Sequence, residues 1–364
     1  MAVLSVRALT DYLESLHKRN VHIVRLEELG RARKQRPVAK LKGFGFGTPY
    51  LVEYKVGGKT RSGVFETLRP GGFGHDFSCD RAHSLLLAHS TYNRLPRHAR
   101  SIDVGIFTKK GELRSVGDFG EFFLLVEKVE GKGYCEDLAR IRDSGVMTKM
   151  DMRRCVALSE YIARIHAVKK NAPQLYVRRI RDLVGHGECI MGLIDGYPRD
   201  AEFLEQNELQ HIEKTCIEWR WKLKNRSHRL SRVHGDFHPF NVMFRKGTDF
   251  TVLDRSRGEW GEPADDVAAM SINYILFSIQ AQRDLSGPLE ELYEAFMRSY
   301  LDETKDEELL EVIQPFYAWR SLVVANPTWY PTLPPDARRK LLNFARSTLE
   351  SERFDMKAVN SYMR

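Results

Sequence analysis

The stretch that decides the fold runs Val233-His234-Gly235-Asp236-Phe237-His238-Pro239-Phe240-Asn241-Val242-Met243-Phe244 and, after a turn at Gly247, Phe250-Thr251-Val252-Leu253-Asp254. A polar loop leads into two short apolar runs, the pattern of a loop and hairpin that presents its polar residues at one end. A carboxylate at Asp236 can orient an alcohol and accept its proton. Asn241 and Asp254 offer hard oxygen donors of the kind Mg²⁺ prefers, with water and phosphate oxygens completing its octahedron. Singly, each residue has a plainer explanation: Asp236 as a turn or helix cap, Asn241 as a turn former, His234 as a satisfied core histidine. Together, at this spacing, they point to a site. A zinc centre on His234 and His238 is excluded because the local sequence supplies no further His or Cys partners.

This arrangement resembles the catalytic loop of the aminoglycoside phosphotransferase and choline kinase family, whose HxDxxxxN pattern is met by His234, Asp236 and Asn241 and whose metal-binding aspartate is matched by Asp254. The resemblance continues through Gly261-Glu262-Pro263-Ala264-Asp265-Asp266-Val267-Ala268, similar to the family's G-[DE]-P-x-x-D-[LV]-A segment, with Asp266 at the aspartate that braces the loop. It implies an α+β, bilobal protein-kinase-like fold, with a small antiparallel β-rich N-lobe and a larger helical C-lobe. It further implies transfer of the γ-phosphate of ATP or GTP, with Mg²⁺, to a hydroxyl of a small molecule. In that scheme Asp236 is the catalytic base, Asn241 and Asp254 hold the metal, and His234 and Asp266 support the loop. His238 stands where protein kinases carry a lysine that approaches the transferred phosphate, so a charge-offsetting role and a structural one are equally open. Phe123-Leu124-Leu125-Val126-Glu127-Lys128-Val129-Glu130-Gly131 resembles the last strand and hinge between lobes, where the backbone of Glu127 and Val129 would meet the adenine edge. Ile162-Ala163-Arg164-Ile165-His166 resembles the end of the helix beneath the catalytic loop.

Upstream, Gly43, Gly45 and Gly47 precede a strand-like run, as a phosphate loop would, since glycine lets backbone N–H groups approach phosphate oxygens. The next strand departs from the kinase pattern. Kinases anchor the α- and β-phosphates with a lysine on the third strand, whereas Arg61 to Arg69 places Glu66 or Thr67 there. A carboxylate repels phosphate unless a cation intervenes, and Lys55, Lys59 and Arg69 are the candidates. Asp80, the possible helix partner, is an acid and does not rebuild the ion pair.

Composition sets the outer bounds. The chain of 364 residues is long enough for two lobes, and 42% hydrophobic with 29% charged residues is ordinary globular composition. A net charge of +8 suits an anionic partner without choosing among nucleotide, nucleic acid and membrane surface. No nucleic-acid-reading module accompanies it, so nucleic acid is disfavoured as a partner. Five cysteines, odd in number and never in a CxxC pair, argue against a disulfide framework and for a reducing, cytoplasmic compartment. Neither an export signal nor a membrane span is read.

Periodicity divides the chain into three parts: an amphipathic helix and basic connector over 1–38, an N-lobe sheet over 39–130 and a C-lobe over 131–364. Apolar residues of 3–18 fall at helical spacing. Leu51 to Val56, Arg61 to Leu68, Ile102 to Thr108 and Phe122 to Val129 are expected strands of one small antiparallel sheet, interrupted by a helix from Cys79 to Asn93. Helices are expected from Asp151 to Lys169, Leu204 to Lys224, Asp265 to Arg283, Pro288 to Leu301 and Asp336 to Glu350. The acceptor would be lined by residues 132–150, 174–230 and 270–330. Arg178 to Glu188 sets a basic cluster beside a Gly-His-Gly turn; facing the cleft it would suit an anionic acceptor, and facing solvent it would have no such role.

One other function stays open. Glu66 motivates a nucleotide-binding regulatory pseudokinase without transfer activity. Protein kinase activity is disfavoured, since Asp254 runs directly into Arg255-Ser256-Arg257 and Pro263 with no activation segment between.

Overall fold

The computed structural model describes residues 4–29, 47–71, 74–199 and 201–364, which fall into two compact units, Met1–Val126 and Glu127–Arg364. The chain is α+β, with the strands of its larger sheet in the first unit and most helices in the second.

In the first unit, the Ser5 side chain accepts the Ala8 N–H at 3.1 Å and starts α1 (Val6–His17). The stripe of α1 bearing Leu9 and Leu13 packs on Val21, Val52, Tyr54 and Val56. Those residues belong to β1 (Val21–Glu28) and β2 (Gly47–Val56), which form an antiparallel sheet with β3 (Lys59–Leu68) in the order β1-β2-β3. Gly57 and Gly58, both at positive φ, close the two-residue turn between β2 and β3, the conformation that matches strand twist. Helix α2 (Ser78–Tyr92) follows, and β4 (Gly105–Phe107) pairs with β5 (Leu113–Ser115) as a separate hairpin.

Three strand expectations need correction. Residues 21–28 form β1, although the sequence suggested a helix and connector there; charged side chains on one face of a short strand mask its alternation. The expected strand from Ile102 to Thr108 shrinks to the three residues of β4. Phe122 to Val129 is not a strand at all, and Phe123, Leu124 and Leu125 are 93%, 87% and 88% exposed. Its aromatic and branched residues have strand propensity, but propensity becomes structure only where a partner edge is met.

In the second unit, β6 (Lys132–Gly133) precedes α3 (Tyr134–Ser144), α4 (Lys149–His166), α5 (Pro173–Gly185), α6 (Ile190–Asp195) and α7 (Gln206–Leu223). The short strands β7 (Ser231–Arg232), β8 (Val242–Phe244), β9 (Phe250–Val252) and β10 (Trp260–Gly261) come next. The remainder is helical: α8 (Pro263–Ala281), α9 (Gly287–Thr304), α10 (Leu309–Val312), α11 (Gln314–Ala325), α12 (Pro335–Leu349) and α13 (Val359–Tyr362). Helix α8 is buried on nearly every side, as a helix apolar all round must be, and forms the axis of the core with α9, α11 and α3 around it. Among the described residues no helix is long and apolar enough to cross a membrane, and all five cysteines are free.

Candidate active site

The loop between β7 and β8 is held from below. Asp266, in the first turn of α8 and wholly buried, accepts the N–H groups of His234 and Gly235, each at 2.7 Å. It also meets Nε2 of His166, the last residue of α4, at 3.0 Å. Nδ1 of His166 lies 2.8 Å from the Tyr300 hydroxyl, so with Nε2 donating to Asp266 the Tyr300 O–H donates to Nδ1. Burial opposes a charged Asp266, but the His166 hydrogen bond and the surrounding donors outweigh it and hold its carboxyl below the usual range. Gly235 has φ of 87°, and a Cβ there would sit 3.3 Å from Cβ of Arg257. That conformation and that approach together favour glycine.

Asp236 follows directly. Its Oδ1 takes two guanidinium contacts, from Arg257 at 2.7 Å and Arg320 at 2.6 Å. Its Oδ2 has only longer neighbours, Nε2 of His238 at 3.4 Å and Nδ2 of Asn241 at 3.5 Å. Burial would raise this carboxyl's pKa, but the His238 contact and the charges of Arg320 and Arg257 prevail and hold it far below the usual range. Asp236 is therefore a carboxylate at any physiological pH. Nδ1 of His238 accepts the Phe240 N–H at 3.3 Å, and its Nε2 lies 3.2 Å from Nδ2 of Asn241 and 3.4 Å from Oδ2 of Asp236. His234 turns the other way. Its Nδ1 accepts the Asp236 N–H at 3.3 Å, its Nε2 is buried without a partner, and burial lowers its pKa, so the ring is neutral.

The β8–β9 hairpin brings Asn241 and Asp254 to one end. Val242 pairs with Val252, and the Leu253 N–H donates to the Asn241 carbonyl at 2.8 Å, so both polar residues flank the same end of the ladder. Nδ2 of Asn241 donates to the Asp236 carbonyl at 3.1 Å. Because that carbonyl can only accept, the amide orientation is fixed, and Oδ1 of Asn241 is left without a hydrogen bond among the described residues. Asp254 is exposed, has φ of 50°, and makes no hydrogen bond or ion pair among the described residues. A left-handed conformation costs an ordinary residue about 1–2 kcal/mol, a cost Asp bears more easily than most. Two oxygen donors without protein partners, at one hairpin end, fit a hard divalent cation. Among the described residues no three His, Cys, Asp or Glu side chains gather into a metal cage, so phosphate and water oxygens would have to supply the rest. The hairpin itself is clamped by Arg154, which stacks on Phe244 at 4.5 Å and donates to the Gly247 carbonyl at 2.9 Å.

The expected nucleotide residues are less gathered. Gly43 and Gly45 lie outside the described residues, and Gly47 opens β2 opposite Leu68. Glu127 and Val129 lie outside any helix or strand of the described residues. Glu66 is exposed on the sheet face away from α1. Lys55 shares that face but pairs with Thr60, six residues along from Glu66, roughly 20 Å of strand. Lys59 is on the opposite face. Asp80 caps α2 by accepting the Phe77 N–H at 2.7 Å.

The segment from Arg178 to Glu188 meets the loop after β9 at Arg257: Arg179 donates to the Arg257 carbonyl, and Glu188 pairs with Arg257 at 3.6 Å. Arg181 and His186 are exposed. Arg257, Arg320 and Tyr300 escape the sequence reading. Arg257 lies three residues past Asp254 and could have been picked up as a basic residue in the loop that follows that candidate residue; Arg320 and Tyr300 have no local pattern that marks them.

A model of the Phosphotransferase enzyme family matches residues 117–311. Among solved structures, an amicoumacin kinase in complex with AMP-PNP, Ca²⁺ and its antibiotic is 16% identical, with 85% of this chain and 89% of that one covered and a TM-score of 0.42. A choline kinase from Streptococcus pneumoniae is 13% identical over 94% of this chain and 98% of that one, with a TM-score of 0.35. An ethanolamine kinase from Plasmodium vivax is 16% identical over 86% and 78%, with a TM-score of 0.34. No curated protein sequence matches the chain.

Proposed function

This chain belongs to the Phosphotransferase enzyme family, and from that membership we propose that it transfers the γ-phosphoryl group of ATP or GTP to a hydroxyl of a small molecule, with Mg²⁺. The observation that carries the proposal is the juxtaposition, on one braced loop and hairpin, of a held carboxylate and two oxygen donors without protein partners. Asp236 orients the acceptor hydroxyl through Oδ2, because Oδ1 is occupied by Arg257 and Arg320. A carboxylate so strongly stabilised is a weak base. It takes the proton late, once the oxygen–phosphorus bond is forming, which suits a loose transition state in which positioning and charge offset do most of the catalysis. Oδ1 of Asn241 and the Asp254 carboxylate would hold Mg²⁺, which when bound neutralises phosphate charge. His238, with Nε2 3.4 Å from Asp236, stands ready to offset charge on the transferred group. His234 and Asp266 hold the loop. Nucleotide binding is assigned to Gly43, Gly45 and Gly47 and to the backbone of Glu127 and Val129. The five free cysteines are consistent with a cytoplasmic setting.

Glu66, exposed where kinases carry a lysine, supports a second possibility, a pseudokinase that binds nucleotide without transferring phosphate. Acceptor-independent hydrolysis of Mg-ATP and Mg-GTP separates the two. Transfer chemistry predicts measurable turnover that falls about 10²- to 10⁴-fold in Asp236→Asn, the range for a positioned acid–base group. Nucleotide binding without hydrolysis in the wild type would favour the pseudokinase.

A further inference from the structure

Arg320 lies on α11, 84 residues beyond Asp236 in sequence, and its side chain is nearly inaccessible to solvent. Its Nη1 donates to Oδ1 of Asp236 at 2.6 Å, while Nη2 donates to the Gly235 carbonyl at 3.2 Å and to Asp265 Oδ1 at 2.5 Å. One guanidinium therefore grips the backbone before the catalytic carboxylate, the carboxylate itself and the first turn of α8. Its position is fixed from behind: the guanidinium stacks on Trp319 at 3.9 Å, and the Trp319 indole N–H donates to the Glu188 carbonyl at 3.1 Å.

We infer that Arg320 is a positioning residue for phosphoryl transfer, setting which oxygen of Asp236 meets the acceptor. The inference rests on the proposed transfer activity and names the group that aims its base. A carboxylate on a short side chain can turn about χ2 and offer either oxygen. Here both charged donors converge on Oδ1, and no guanidinium reaches Oδ2, so the second oxygen is the one left for a hydroxyl. The two arginines are not equivalent. Arg257 is 22% exposed, on a loop, and can approach a ligand; Arg320, at 6%, cannot. Shielded from solvent, the Arg320 side chain is out of reach of nucleotide and acceptor, so its loss acts on the chemical step rather than on nucleotide binding. A merely structural ion pair predicts something different: removing its arginine costs stability, and a variant that still folds would turn over normally.

The test uses the full-length chain with Arg320→Met and Arg320→Lys, and Mg-ATP hydrolysis as the probe. Arg320→Met is expected to lower kcat about 10- to 100-fold with the KM for ATP within about twofold, because a misaimed base costs rate and not affinity. Arg320→Lys is expected to recover part of that loss, keeping the charge but not the forked geometry. A kcat within about twofold of wild type in folded Arg320→Met overturns the inference. If the wild type itself shows no hydrolysis, the transfer reading fails, and crystal structures of the variants decide the positioning separately. Rotation of the Asp236 carboxylate away from its present orientation supports the role; an unmoved carboxylate overturns it.

Discussion

Asp266 accepts hydrogen bonds from two backbone N–H groups and one imidazole in a place closed to water, so removing its carboxylate leaves three buried donors unmet. Each unmet donor is costly, and stripping one partner from a buried charged network typically costs about 3–5 kcal/mol. Asp266→Ala is accordingly expected to lower the unfolding free energy by about 3–5 kcal/mol, seen as a lower denaturant midpoint at unchanged slope. A loss under about 1 kcal/mol would mean that the brace is not holding the loop. Asp266, like His234, Asp236, Asn241 and Asp254, was legible in the sequence because the loop, hairpin and helix start follow one another within about 30 residues, and short-range geometry fixes short-range spacing. Arg320 was not, since its partners lie across the fold and a single arginine in an apolar helix carries no local signature.

At the scale of elements, apolar periodicity located α4, α7, α8, α9 and α12 to within a few residues, because each presents an apolar stripe or is apolar throughout. Periodicity misjudged 122–129, where strand-forming residues meet no partner edge, and it missed β1, whose exposed face is charged. Long-range ties were also silent. The turn of Ser227–Arg229, just before β7, is joined to the start of α10 by Arg226, His228 and Arg229 contacting Glu308 at 2.6, 2.7 and 3.2 Å. Partial burial would raise the Glu308 carboxyl, but the His228 hydrogen bond and the Arg229 and Arg226 contacts lower it from 4.5 to about 2. A carboxyl with a depressed folded pKa stabilises the fold above its unfolded pKa and loses that contribution as pH falls through the folded one. Glu308→Gln should therefore be less stable than wild type at neutral pH, with the gap closing between pH 4.5 and about 2. Denaturant midpoints measured across that range test the tie, and a pH-independent gap would contradict it.

At the scale of the whole molecule, the candidate loop of residues 234–241, its brace, the hairpin and Arg320 all lie within Glu127–Arg364, around one large hydrophobic core, while Met1–Val126 keeps a small core of its own. Many of the arginines behind the net charge of +8 are committed to ion pairs and carbonyls inside the second unit. What the whole chain must do to be a phosphotransferase is bind a nucleoside triphosphate through a divalent cation held at Asp254 and Asn241, despite Glu66 in place of the expected lysine. Isothermal titration of the full chain with non-hydrolysable ATP and GTP analogues, each with and without Mg²⁺ and beside Asp254→Ala, tests this most directly. Binding of at least one analogue that strengthens about tenfold or more with Mg²⁺, a gain lost in Asp254→Ala, is the predicted result; no binding of either analogue, or binding indifferent to both Mg²⁺ and the substitution, would contradict it.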